Sequence, residues 1–395
     1  MTGARHVIFG TGAIGLATLD ALRRRGHHVR MINRSGHASV PADVEIIGGD
    51  ARDPDFTTAA AHGATVLYQT LNPPYPQWTA QFPALQTGVL AAAQATGARL
   101  VSMENVYMYG RPAGHPLTED RAHDAHTRKG RLRGQMAAEL LAAHDAGRVQ
   151  VAIGRASDYF GPRGGAQSNL GDRVFPAALA GKTATTLGDP DQPHTYTYIP
   201  DIGEGLAVLG EHPDAPGQVW HLPNDPDTRT TRAIVETIYR CAGRPRTKHR
   251  TIPPLLLRAI ALTNPTVREL LEMQYQFDEP FIVDSSKIAT KLGLTATPLD
   301  QAITDTLATY RHASTTATEP HPASLLTRCS PVRTRSSAED HPGASSPTQD
   351  AHHARDRPIP DRRPRPPIMA GHCRPREGDA RWRQQEARSR RRSPT

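Results

Sequence analysis

The chain has 395 residues, with 47 Lys+Arg against 39 Asp+Glu, a formal charge of +8. The excess is local: residues 314–395 hold 16 Arg, no Lys and 9 acids, so residues 1–313 carry 31 bases and 30 acids and lack the basic surplus that phosphate-backbone binding needs. Three cysteines, two of them in the tail, exclude a disulfide framework and a CxxC metal site, and no run approaches the roughly 18 apolar residues of a membrane span.

The N-terminus opens directly on a short apolar strand and has no signal-peptide pattern, which predicts a cytoplasmic protein without membrane attachment. Residues 6–9 are that strand, and Gly10-Thr11-Gly12-Ala13-Ile14-Gly15 is the turn after it. Ile14, Ala17, Ala21 and Leu22 then recur at helical spacing up to Gly26, and 29–32 reads as a second strand. A GxGxxG placed between strand and helix is a dinucleotide fingerprint. Its first Gly permits the tight turn, the second lets a pyrophosphate approach the backbone, and the third packs helix on strand, with the phosphates at the positive helix N-terminus.

The second strand ends in Asn33-Arg34-Ser35, where NAD enzymes usually place an acid on the ribose 2′-hydroxyl. Arg34 suits a 2′-phosphate, so NADP(H) is expected over NAD(H). Strands follow at 44–47, 65–69 and 99–102, with a helix over 82–96, which predicts an α/β fold built on a doubly wound, Rossmann-like parallel sheet. Gln69 and Thr70, at the end of the fourth strand, join Gly10 to Gly15, Asn33 and Arg34 in the expected cofactor site.

These motifs, with others further along, resemble the extended short-chain dehydrogenase/reductase superfamily of the NAD-dependent epimerase/dehydratase type. Gly49-Asp50-Ala51-Arg52-Asp53 is similar to the family's GDxxD, which implies that Asp50 and Ala51 lie by the adenine. Asn105-Val106-Tyr107-Met108-Tyr109-Gly110 is similar to its VYG. Arg155 to Pro162, Tyr198 to Ile202, and Asp284 to Lys287 with Leu292-Gly293-Leu294 resemble its later motifs. The resemblance spans about residues 4–312. It implies a sheet mainly over 4–170, a smaller C-terminal substrate lobe mainly over 171–313, and a homodimer. Helices at 231–241, 255–262 and 266–273 fit that lobe. Residues 314–395 hold only seven large apolar side chains against 12 Pro and 16 Arg, too few to offset ordering entropy, so a disordered tail is expected.

The family's acid/base is a Tyr four residues before a Lys. The five lysines here are preceded at that spacing by Ala125, Ala178, Arg244, Val283 and Lys287, so the pair is absent. Three readings follow. In an atypical reductase of small carbonyl or enone compounds, Tyr107 or Tyr109 would donate the proton, with Lys129 nearby to lower its pKa and Ser102 as a second hydroxyl. The others are a non-catalytic NADP(H)-binding redox sensor and an interaction module with a vestigial site. Tyr75 and Trp78, on a Pro-braced loop at the sheet's C-terminal edge, are candidate walls of the substrate pocket, together with Tyr159 and Tyr196. His194-Thr195-Tyr196 stands where the family often contacts substrate. His123 and His126 have too few companions for a zinc site, and no metal is expected. Without a GxSxG elbow a hydrolase is not supported.

Overall fold

The computed structural model describes residues 5–316. The expected strands form as β1 (Arg5–Phe9), β2 (His28–Asn33), β3 (Glu45–Gly48), β4 (Val66–Gln69) and β5 (Arg99–Glu104). β6 (Val151–Arg155) follows, then the short strands β7 (Asp158–Phe160), β8 (Ala184–Thr186) and β9 (Tyr196–Tyr198), and finally β10 (Gln218–His221) and β11 (His249–Thr251). Seven of these make one sheet in the order β10-β6-β5-β4-β1-β2-β3, each neighbouring pair parallel.

Parallel neighbours require crossovers, and helices supply them on both faces. α1 (Ala13–Arg24) covers one face; α2 (Pro54–Ala60), α3 (Trp78–Thr96) and α4 (Arg128–Asp145) cover the other. The later helices are α5 (Phe175–Leu179), α6 (Ile199–Glu211), α7 (Thr231–Cys241), α8 (Pro254–Ala261), α9 (Pro265–Leu271), α10 (Ser286–Leu292) and α11 (Leu299–Thr316). Val7, Phe9, Leu67, Leu100 and Ile153 point toward α3 and α4, while Ile8, Met31, Tyr68, Val101 and Ala152 point toward α1 and α6. That alternation is the period of two of a strand buried on both sides.

The two lobes interleave. α6 and β10 lie well past residue 170 yet belong to the sheet layers, because a parallel sheet gains its last edge strand only after another crossover. The second lobe has its own core, where Phe175, Val235, Tyr239, Ile303 and Leu307 from α5, α7 and α11 pack together. Helix α11 continues to Thr316, three residues into the stretch assigned to the tail; the rest of that expectation lies outside the described residues. Among the described residues no helix is long and apolar enough to cross a membrane.

Two helix starts are set by local geometry, and that of α3 differs from the expected 82. α3 begins at Trp78, directly after a 3-10 turn at Tyr75–Gln77. α4 begins at Arg128, because the Thr127 hydroxyl caps it by accepting the Gly130 N–H at 3.0 Å. Its first turns bury Lys129, Gly130 and Arg133.

Candidate active site

The β1–α1 turn has the shape its glycines predict. Gly10 has φ +114°, and a Cβ there would lie 2.8 Å from the Thr70 hydroxyl; a Cβ on Gly15 would fall 2.1 Å from the Gly10 carbonyl oxygen. A Cβ on Gly12 would meet nothing within 4 Å. Gly12 is also the N-cap of α1 and offers no side-chain acceptor, so the helix starts without a side-chain cap beside this open space. An anionic diphosphate fits this cradle. The Thr70 hydroxyl closes the turn by donating to the Phe9 carbonyl at 2.9 Å.

Asn33 ties the second loop to the first. Its amide donates to the Thr11 hydroxyl at 3.0 Å and to the His37 carbonyl at 2.9 Å, while its oxygen accepts the Gly36 N–H at 2.7 Å. Arg34 stands exposed beside this loop and makes no ion pair among the described residues. Asp50 is half-buried and held by the Arg52 guanidinium at 2.6 Å, which lowers its pKa to about 2; Ala51 behind it is buried.

On the sheet edge, Gln69 of β4 and Ser102 of β5 are cross-strand neighbours. Both are buried, and neither the Gln69 amide nor the Ser102 hydroxyl has a hydrogen-bond partner. Buried polar groups are rarely left so, and an orphan pair at the C-terminal ends of two central strands suits a site filled by ligand or water.

Beyond them an aromatic cluster borders the crevice that α/β folds leave past their strand ends. Trp78 stacks on Tyr107 at 5.8 Å between ring centres, meets Tyr75 edge-on at 4.9 Å, and donates its indole N–H to the Pro73 carbonyl at 3.1 Å. The Tyr75 hydroxyl points to that of Tyr107 at 3.5 Å. Tyr275 adds a further wall, with His126 edge-on to it at 4.7 Å. The charge expected to activate Tyr107 is not delivered. Lys129 is buried, ion-paired to Glu269 and, at 3.2 Å, to Glu272, and lies 4.6 Å over the Tyr75 ring. Burial holds the Tyr107 phenol well above its usual pKa, with Tyr75 and Asp158 adding to the effect.

Three expected site residues fall elsewhere. Tyr109 is fully buried, accepting from Arg155 at 2.7 Å and bonded to His221 Nε2 at 2.8 Å, and burial pushes its pKa up to about 12. It braces the core, because Gly110 turns the chain away behind it. Tyr196 is buried in the second lobe, its hydroxyl 3.1 Å from both Asn169 and Thr231. Tyr159 is half-buried against the layer of α1 and α6 and donates to Gln167 at 3.3 Å, so it does not join Tyr75 and Trp78.

Three features escaped the sequence reading. Lys129 and Arg133 occupy one helical turn of α4 at the spacing of the missing Tyr–Lys pair. Arg133 and Arg155 converge on buried Glu104, at 3.7 and 3.1 Å. Asp158 pairs with buried His194 at 2.8 Å. The four-residue spacing of Lys129 and Arg133 was the only linear signal; the other pairs join distant strands. His6, His27 and Glu211 also meet, at the opposite edge of the sheet, but His27 and Arg25 already occupy the Glu211 carboxylate.

A parallel sheet with a glycine cradle at its switch point defines a Rossmann-like α/β protein. Residues 7–222 match the NAD dependent epimerase/dehydratase family, and the chain belongs to that family. Among solved structures it is similar to dTDP-glucose 4,6-dehydratase from Bacillus anthracis str. Ames in complex with NAD (TM-score 0.65, 13% identity, 78% of this chain and 97% of that one). It is also similar to UDP-glucose 4-epimerase from Thermotoga maritima with UDP-glucose (0.63, 14%, 78% and 99%) and to UDP-glucose 4-epimerase from Thermus thermophilus with NAD (0.61, 19%, 78% and 99%). Among curated protein sequences there is no significant match.

Proposed function

We propose that this chain binds NADP(H) in the β1–α1 turn and reduces a small, uncharged carbonyl compound in the aromatic crevice. The cradle around Gly12 carries this reading: an open approach to the backbone, an uncapped helix N-terminus, and the unpaired Arg34 cation beside the second loop. Arg34 supports NADP(H) over the NAD named for two of the similar structures. The crevice supports a neutral substrate. Lys129, which lies over the Tyr75 ring, is already neutralised by Glu269 and Glu272 and leaves no free charge for the diphosphate of a UDP-sugar. Fluorescence titration with NADPH and NADH, followed by NADPH oxidation with a panel of aryl aldehydes and o-quinones, tests it. Tighter NADPH binding and oxidation are expected; failure to bind either dinucleotide refutes it.

A non-catalytic NADP(H)-binding sensor is the second reading, and one observation favours it. Each of the chain's ten tyrosines is held above its ordinary pKa by burial, so no phenol is prepared as an acid/base. NADPH binding without oxidation by any carbonyl in the panel would establish it.

A further inference from the structure

Lys129, the charge expected to assist Tyr107, is already paired with Glu269 and Glu272, whereas the Asp158–His194 pair is placed to hold a proton. Asp158 begins β7, three residues past the C-terminal end of β6, and pairs across to Tyr196 of β9. Its carboxylate is about a quarter exposed, whereas the His194 side chain behind it is 2% exposed. The pair lies beside the aromatic cluster: Asp158 bonds His194, and His194 in turn contacts the backbone of Gln276, next to Tyr275, and stacks on Phe281, both Tyr275 and Phe281 packing with Tyr75 and Tyr107.

The imidazole of His194 stands between two acceptors. Nε2 lies 2.8 Å from Asp158 Oδ2, and Nδ1 lies 3.1 Å from the Gln276 carbonyl oxygen. A carbonyl only accepts, and a carboxylate only accepts, so a neutral imidazole with one N–H cannot satisfy both contacts. The arrangement requires one additional proton, on Nε2 or on Oδ2. Aromatic faces surround the ring: Phe277 is stacked at 4.6 Å, with Phe281 at 5.4 Å and Tyr196 at 4.7 Å, a setting that tolerates a cation.

We infer that Asp158 and His194 form the proton-donating pair of this crevice, with Asp158 touching the substrate oxygen and His194 holding the proton behind it. The donating step rests on the reductase reading above, in which bound NADPH supplies the hydride. The substrate C=O then gains a hydride at carbon and a proton at oxygen, leaving C–H and O–H bonds. The pair loses one proton, which water restores through the exposed face of Asp158.

The proton store is tested without cofactor. In protein labelled with ¹⁵N-histidine, the His194 ring of the wild type at pH 7.5 should show both nitrogens protonated or sharing the proton with Asp158, and Asp158→Asn should convert it to a single neutral tautomer. With 9,10-phenanthrenequinone as probe, Asp158→Asn should lower kcat for NADPH oxidation by about 10² to 10⁴ with NADPH affinity unchanged. His194→Gln, which keeps a donor toward Gln276, should do the same. An ordinary neutral tautomer in the wild type overturns the inference even if NADPH binds. So does an Asp158→Asn protein that reduces the quinone at the wild-type rate.

Discussion

Arg34 and the glycines of the first turn show how single residues divide the work of the cofactor site. Arg34 is exposed and unpaired, so its charge is available to a ligand at little structural cost. Arg34→Ala should weaken NADPH binding by about ten- to a hundredfold, equivalent to about 1.5 to 3 kcal/mol, and leave NADH nearly unchanged. Parallel titrations of both dinucleotides check it. Gly12 and Gly15 differ in what surrounds them. Gly12→Ala places a methyl in open space and should leave the melting temperature within about 2 °C while abolishing dinucleotide binding. Gly15→Ala drives the same methyl into the Gly10 carbonyl and should cost about 2 kcal/mol or more by chemical denaturation. If both variants lose stability equally, the space above Gly12 is not a ligand site.

The elements β5, β6 and α4 are joined by buried charges. Glu104 at the end of β5 is 1% exposed and faces Arg155 of β6 and Arg133 of α4. Arg155 continues to Tyr109, and Tyr109 to His221 of β10, whose Nδ1 donates to the Asp284 carbonyl at 2.7 Å. Removing the carboxylate strands two buried guanidinium groups. Glu104→Ala should therefore destabilise the protein by about 3 to 5 kcal/mol in urea, well above the cost of a surface ion pair such as Arg23 with Asp43. The network is not legible along the chain, because Glu104, Arg133 and Arg155 come from separate elements that meet only in the fold.

Across the whole molecule the acid limit of stability should be set partly by histidines. Burial lowers His6, with help from His27, and His221 to about 4, whereas an unfolded histidine titrates near 6.5. Between those values the unfolded chain binds protons that the folded chain refuses, so stability is lost as pH falls from about 6.5 toward 4. Each group adds a slope approaching about 1.4 kcal/mol per pH unit in that window. Glu119 and Asp201, which burial holds above the usual carboxylate range, act in the opposite sense at its lower end. Urea denaturation at stepped pH should show the loss, and His6→Leu should flatten it. Ending the chain after Thr316 should leave the melting temperature unchanged within error, because the sequence beyond it has few apolar residues to bury.

By itself the sequence determined the parallel sheet, the glycine turn and the family, because strand and helix periods and the GxGxxG contacts are local along the chain. It also exposed the missing Tyr–Lys pair, an absence readable at fixed spacing. Only the tertiary structure decided the chemistry of the crevice. Tyr107 and Tyr109 are two residues apart in sequence, yet one lines the crevice and the other is locked beneath it by Arg155 and His221. Asp158 and His194 are 36 residues apart and meet only because β7 pairs with β9. A charge's partner in a folded protein is set by strand order and burial, and neither is written in its neighbours along the chain.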